Sequence, residues 1–159
     1  MKKYSLRLLT VAVMAIAFVT LLSAPVFAAA SWKQIESRFS AVAGETLATG
    51  NVVSISASDG KAYKADANDS SLRPAVGVIG KGGASGAKVE VVISGIIAGM
   101  TAQSPGVRLY LSETAGSVTS TAPTNPQVLG WVMPGTAGAV TSTTYFINVQ
   151  MPQSEGPGY

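Results

Sequence analysis

The chain has 159 residues, 11 Lys and Arg against 8 Asp and Glu, and no His or Cys. Its length fits one domain. The two zero counts exclude disulfides, thiolate nucleophiles, Cys- or His-ligated metal sites and any catalytic triad built on histidine.

In chain order, Lys2, Lys3 and Arg7 form a positive start, and Leu8 to Leu22 is an uncharged, mostly apolar run. Small residues follow, with Ala28 at the −1 position of a cut, or Ala30 at an alternative one. This is the pattern of a secretory signal peptide over residues 1–28. Fifteen residues span only about 22 Å as a helix, short of the ~30 Å hydrocarbon layer, which argues against a retained anchor. The expected location is therefore secreted, extracellular or at a cell surface. After cleavage eight basic and eight acidic residues remain, so the mature chain is neutral. The basic excess belongs to the signal, and no Lys/Arg cluster is left to hold phosphates. Nucleic acid is thus not an expected partner, nor is a membrane once the signal is removed.

Residues 31–43 read as a short amphipathic helix. Ser31 and Gln34 make a capping box, and Trp32, Ile35 and Phe39 share one face. A helix this short is marginal alone, so that face must pack on the chain's own β domain or on a neighbouring subunit. On the second reading Trp32, Ile35 and Phe39 are the candidate assembly interface.

From Gly44 the period becomes two, and residues 44–151 read as a β domain. Val53 to Ala57 alternates, and Asp59-Gly60 turns into Lys61 to Ala65, a hairpin signature. Strands are expected over Arg73–Gly80, Lys88–Ala98, Val107–Leu111, Ser117–Ser120, Val128–Met133 and within Ala139–Met151. Gly95 marks a bulge or corner. Gly77, Gly80 and Gly130 suggest strands that cross the core closely. Trp131, Tyr145 and Phe146 are the large candidate core pieces. Residues 152–159 read as a flexible polar tail. The fold class is all-β, a compact β-sandwich or small barrel of about eight short strands.

The order of several short motifs carries a resemblance. Gly44-Glu-Thr-Leu-Ala-Thr-Gly50 opens the domain, and Asp59-Gly-Lys-Ala-Tyr-Lys-Ala-Asp66 forms its hairpin. Arg73-Pro-Ala-Val-Gly-Val, Val89-Glu-Val with Gly95, and Arg108-Leu-Tyr-Leu-Ser112 follow. Together they resemble the small β domain of phage capsid decoration (cement) proteins and related phage fibre modules. The resemblance implies a compact β domain that tends to trimerise, with a structural role and no catalysis. The export signal and the capping-box helix are departures from that family.

Other constellations carry less. Asp66, Asn68 and Asp69 could suggest calcium ligands, but the spacing matches no EF-hand or RTX repeat, and a solvated loop is the simpler reading. Asn68-Asp69-Ser70 matches a glycosylation acceptor pattern at the level of coincidence. Glu90 and Glu113 have no feature that puts them in one cleft, as a glycosidase pair requires. Tyr63, Tyr110 and Trp131 could form an aromatic sugar platform, against the simpler reading of core or interface packing. The sequence thus points to an exported, non-catalytic structural protein that self-assembles into an oligomer, fibre or surface coat. Its expected partner is itself, as a trimer or filament, and no metal or cofactor is expected. The alternative is an extracellular carbohydrate-binding or adhesion module.

Overall fold

Period-two alternation becomes a nine-stranded sheet, described by a computed structural model over residues 36–135 and 139–150. Residues 1–28, read above as a signal peptide, Trp32, Ile35 and the tail lie outside the described residues. The strands are β1 (Ser37–Val42), β2 (Val52–Ile55), β3 (Ala62–Lys64), β4 (Gly77–Lys81), β5 (Lys88–Ile97), β6 (Arg108–Leu111), β7 (Val118–Thr119), β8 (Val128–Val132) and β9 (Tyr145–Asn148). The main order is β3-β2-β4-β5-β9-β8-β6-β7, with β1 also on β5. Every ladder is antiparallel.

The all-β class expected from the sequence holds, as a sheet curled into a half-barrel. The helix expected over residues 31–43 is corrected over Ser37–Val42, which form β1, while residues 31–35 lie outside the described residues. Ser37 to Val42 is extended and pairs with β5 from Ser94 to Lys88. The reason is non-local. A single turn-rich segment gains few hydrogen bonds alone, whereas β5 offers a full ladder and a place for Phe39 and Ala41 against buried Val89 and Val91.

β5 joins the two ends of the sheet. Its first half pairs with β1 and β4, and its second half with β9. The change comes at Ser94 and Gly95, and Gly95, which the sequence marks, has a φ of +153°. The Asp59-Gly60 hairpin also forms, with Gly60 at φ +70° and its amide donating to the Ser56 carbonyl at 2.9 Å.

The strands β2, β4 and β5 are buried on both faces. Val52, Val78 and Val92 face a core with Leu109, Leu111, Leu129, Tyr145 and Ile147. Their neighbours Val53, Ile79 and Val91 face a second core with Ala43, Leu47 and Val89. Such doubly covered strands carry consecutive apolar residues rather than clean alternation. Backbone bonds outside the ladders hold the curl. The Val52 amide donates to Gly116 O at 3.0 Å, and Gly116 N donates to Ala65 O at 2.8 Å. Gly44 N reaches Ala62 O, also at 2.8 Å.

One polar side chain is built into the first core. Gln127 is buried, and its Oε1 accepts from Ala75 N at 2.8 Å. Its Nε2 donates to Ala75 O at 2.7 Å and to Gln150 O at 3.1 Å. It clamps the chain entering β4 to the chain leaving β9.

Candidate functional site on the outer face of β6, β8 and β9

The outer face of the second half of the sheet carries a cross-strand row. Ile96 pairs with Phe146, Phe146 with Trp131, and Trp131 with Arg108. Paired residues project from the same face, so the four side chains line up across β5, β9, β8 and β6. At about 4.8 Å per strand the row spans roughly 14 Å.

Trp131 is the centre of this row. Its side of the sheet is set by Tyr145 and Val132, which pair across β8 and β9 and point into the core. Trp131 therefore points outward and is 45% exposed. This corrects the expectation that it is a core residue. Phe146, also expected in the core, is half-buried and stacks on Trp131 with ring centroids 4.5 Å apart. Of the three aromatic candidates for the core, only Tyr145 is fully buried. Its hydroxyl donates to the Thr101 carbonyl, and burial pushes its phenol pKa up.

Gly130 makes the row possible. A Cβ there would sit 1.9 Å from the Phe146 carbonyl oxygen, so β8 and β9 approach too closely for any side chain at that point. Beside Trp131 lies a groove of about 370 Å³, lined by Gly106, Arg108, Val128, Gly130, Trp131 and Gln150. Arg108 is exposed and is the sole charged residue of that lining. Among the described residues it has no carboxylate partner. Gln150 is anchored through its backbone, its amide donating to Val128 O at 3.2 Å and its carbonyl accepting from Gln127.

The remaining sequence candidates separate. Tyr110 lies on this same outer face, one pleat beyond Arg108, and pairs with Val128. Tyr63 is on β3, packed where a Cβ at Gly44 would strike its ring, and its hydroxyl donates to Asp59 at 2.9 Å. The Tyr63–Tyr110–Trp131 trio is thus split. Phe146, which the sequence placed in the core, is the actual neighbour of Trp131. The pairing of Phe39 with Val91 puts it half-buried against the second core.

The carboxylates are occupied locally. Glu90 and Glu36 both pair with Arg38. Glu113 sits in the turn after β6 and accepts from Thr124 N at 3.4 Å, so the two glutamates Glu90 and Glu113 serve different elements. Asp66 caps Asn68 N at 2.8 Å. Asp69 accepts from both the amide and the hydroxyl of Ser71, at 2.8 and 2.6 Å, closing a 3-10 turn over Ser70–Leu72. These bonds hold the Asp69 carboxyl below its ordinary pKa, the Ser71 hydroxyl contributing most. Oδ1 of Asp66 and Oδ1 of Asp69 are thus taken up by the loop's own amides and the Ser71 hydroxyl. Among the described residues no group of three His, Cys, Asp or Glu side chains converges, and no helix is long and apolar enough to cross a membrane.

The chain matches no protein-family model and no curated protein.

Proposed function

We propose that the protein is an exported, non-catalytic structural subunit that assembles with copies of itself into an extracellular oligomer, filament or surface coat. The observation that carries this reading is β1. It is six residues long, contains no proline, ends in a 44%-exposed Val42, and among the described residues has a ladder partner only in β5. A free edge of this kind offers a row of backbone donors and acceptors to a second strand. The neutral charge of the mature chain removes the repulsion that would oppose such pairing. The signal pattern supports an extracellular location. The motif order shared with phage decoration and fibre modules supports a β domain of trimerising habit.

Sedimentation of the mature chain tests this reading. Concentration-dependent oligomers are expected, and Val42→Lys with Ser40→Lys, which place charges along the edge, should shift them toward monomer without lowering the melting temperature. A monomer at every concentration would overturn it.

A second reading is favoured by one specific observation. Trp131 presents a rigid, exposed indole beside a groove, as a carbohydrate-binding module requires. A glycan array on the mature chain tests it, and no binding together with no change in Trp131 fluorescence would remove it.

A further inference from the structure

We propose that the groove beside Trp131 binds a saccharide bearing a carboxylate, of the uronic-acid class. The inference rests on the second reading above, a sugar site at Trp131, and adds the charge of the ligand.

A pyranose ring has one face made largely of C–H groups, and it packs on a flat aromatic surface that stays still. Trp131 meets that need. Its backbone is paired on both sides, to Arg108 and to Phe146, and Phe146 backs its ring at 4.5 Å. A preorganised platform loses little conformational entropy when ligand binds. The floor next to the indole is low because two lining residues are glycines. Gly130 is forced by the approach of β9, and a Cβ at Gly106 would meet nothing within 4 Å. The groove's 370 Å³ lies at the lower end of the ~300–1,000 Å³ usual for small-molecule sites, which suits one or two sugar rings.

Charge selects among sugars. The lining has one cation, Arg108, and no acid. A guanidinium presents a planar fork that matches a carboxylate bidentately. Gln150 adds an exposed amide able to donate to and accept from hydroxyls, and its anchored backbone fixes its root at the groove wall. Arg38, Lys61 and Lys64 sit on carboxylates, whereas Arg108, like Arg73, Lys81 and Lys88, has no such partner among the described residues, and of these four it is the one that lines the groove.

The test uses the mature chain with Trp32→Phe, so that fluorescence reports Trp131 alone. Trigalacturonic acid and its methyl ester, which is uncharged, are titrated in parallel. The acid should bind about tenfold more tightly, the size of one charge-assisted hydrogen-bonded contact. Arg108→Gln should erase that difference and leave the ester's affinity as it was. Trp131→Ala, which lacks the reporter indole and is therefore titrated by calorimetry, should weaken both, with circular dichroism confirming the fold. Equal affinity for acid and ester would overturn the charge assignment while leaving the sugar site in place. No binding of either at millimolar concentration would overturn both. Shielding of Trp131 that tracks protein concentration without sugar would show a second copy in the groove, and would also overturn the proposal.

Discussion

Gly130→Ala should be among the most damaging single substitutions of one methyl group in this fold. The new Cβ would lie 1.9 Å from Phe146 O and 3.1 Å from Ile147 Cα. A close C···O contact sits near 3.3 Å, so β8 and β9 must part by more than about 1 Å. That separation strains the Gly130↔Ile147 and Trp131↔Phe146 pairs. Loss of about two ladder bonds costs roughly 2 kcal/mol, and loosening the aromatic stack roughly 0.5–1.5 kcal/mol. The φ of +152° adds about 1–2 kcal/mol for any L side chain. The total is about 4 kcal/mol, a large share of the 5–15 kcal/mol that stabilises a typical domain. At roughly 4 °C per kcal/mol for this size the melting temperature should fall by about 16 °C. Thermal and urea melts followed by far-UV circular dichroism measure it. Gly86→Ala is the control, because its φ of +84° carries similar strain with nothing within 4 Å of the new Cβ. If the two variants lose the same stability, the close-approach argument is wrong.

Other outcomes follow from individual groups. Gln127→Ala should cost about 2–4 kcal/mol in urea melts, because it strands the buried amide and carbonyl of Ala75. Ser54→Ala should be neutral or stabilising by up to about 1 kcal/mol, since the Ser54 hydroxyl is buried without a partner among the described residues. Asp59 accepts from the Lys61 amide at 3.1 Å and from the Tyr63 hydroxyl, and these bonds, the amide first, hold its carboxyl below the ordinary 3.8. A depressed folded value means the carboxylate supports the β2–β3 turn fully above 3.8 and ceases to as pH falls through the lower value. Hydrogen exchange of the Lys61 amide should therefore accelerate, relative to the intrinsic rate, as the pH is lowered below that range. Asp59→Asn should remove the dependence, and an unchanged profile would refute the assignment.

Much of the strand rhythm was legible because alternation and turn chemistry are local. Asp59-Gly60 specifies a turn wherever it falls between two alternating runs. Gly95 reads as a corner because a strand otherwise rich in Val and Ile has no local reason to hold a glycine. Gly77 and Gly130 read as close approaches for the same reason, and at both a Cβ would meet backbone, Val92 O at 2.7 Å and Phe146 O at 1.9 Å. The balance of eight basic and eight acidic residues over 29–159 is also a property of sequence alone.

Residues 37–42 were ambiguous. Phe39 fits a helical stripe with Trp32 and Ile35, yet Phe39 and Ala41 also alternate with exposed Arg38, Ser40 and Val42. The ladder to β5 decides between them, with Ser40 opposite Glu90, 50 positions away in the chain. The orientation of Trp131 was hidden for a related reason. Hydropathy marks a tryptophan for the core, but the side of a sheet on which a residue lies is fixed by strand register. Here a register irregularity between β6 and β8 leaves both Leu129 and Gly130 buried, and the next residue, Trp131, emerges beside Arg108. Sequence determined that this chain forms strands, where they turn and what charge they carry. Tertiary pairing alone decided which large side chains were covered, because it depends on partners distant in the chain.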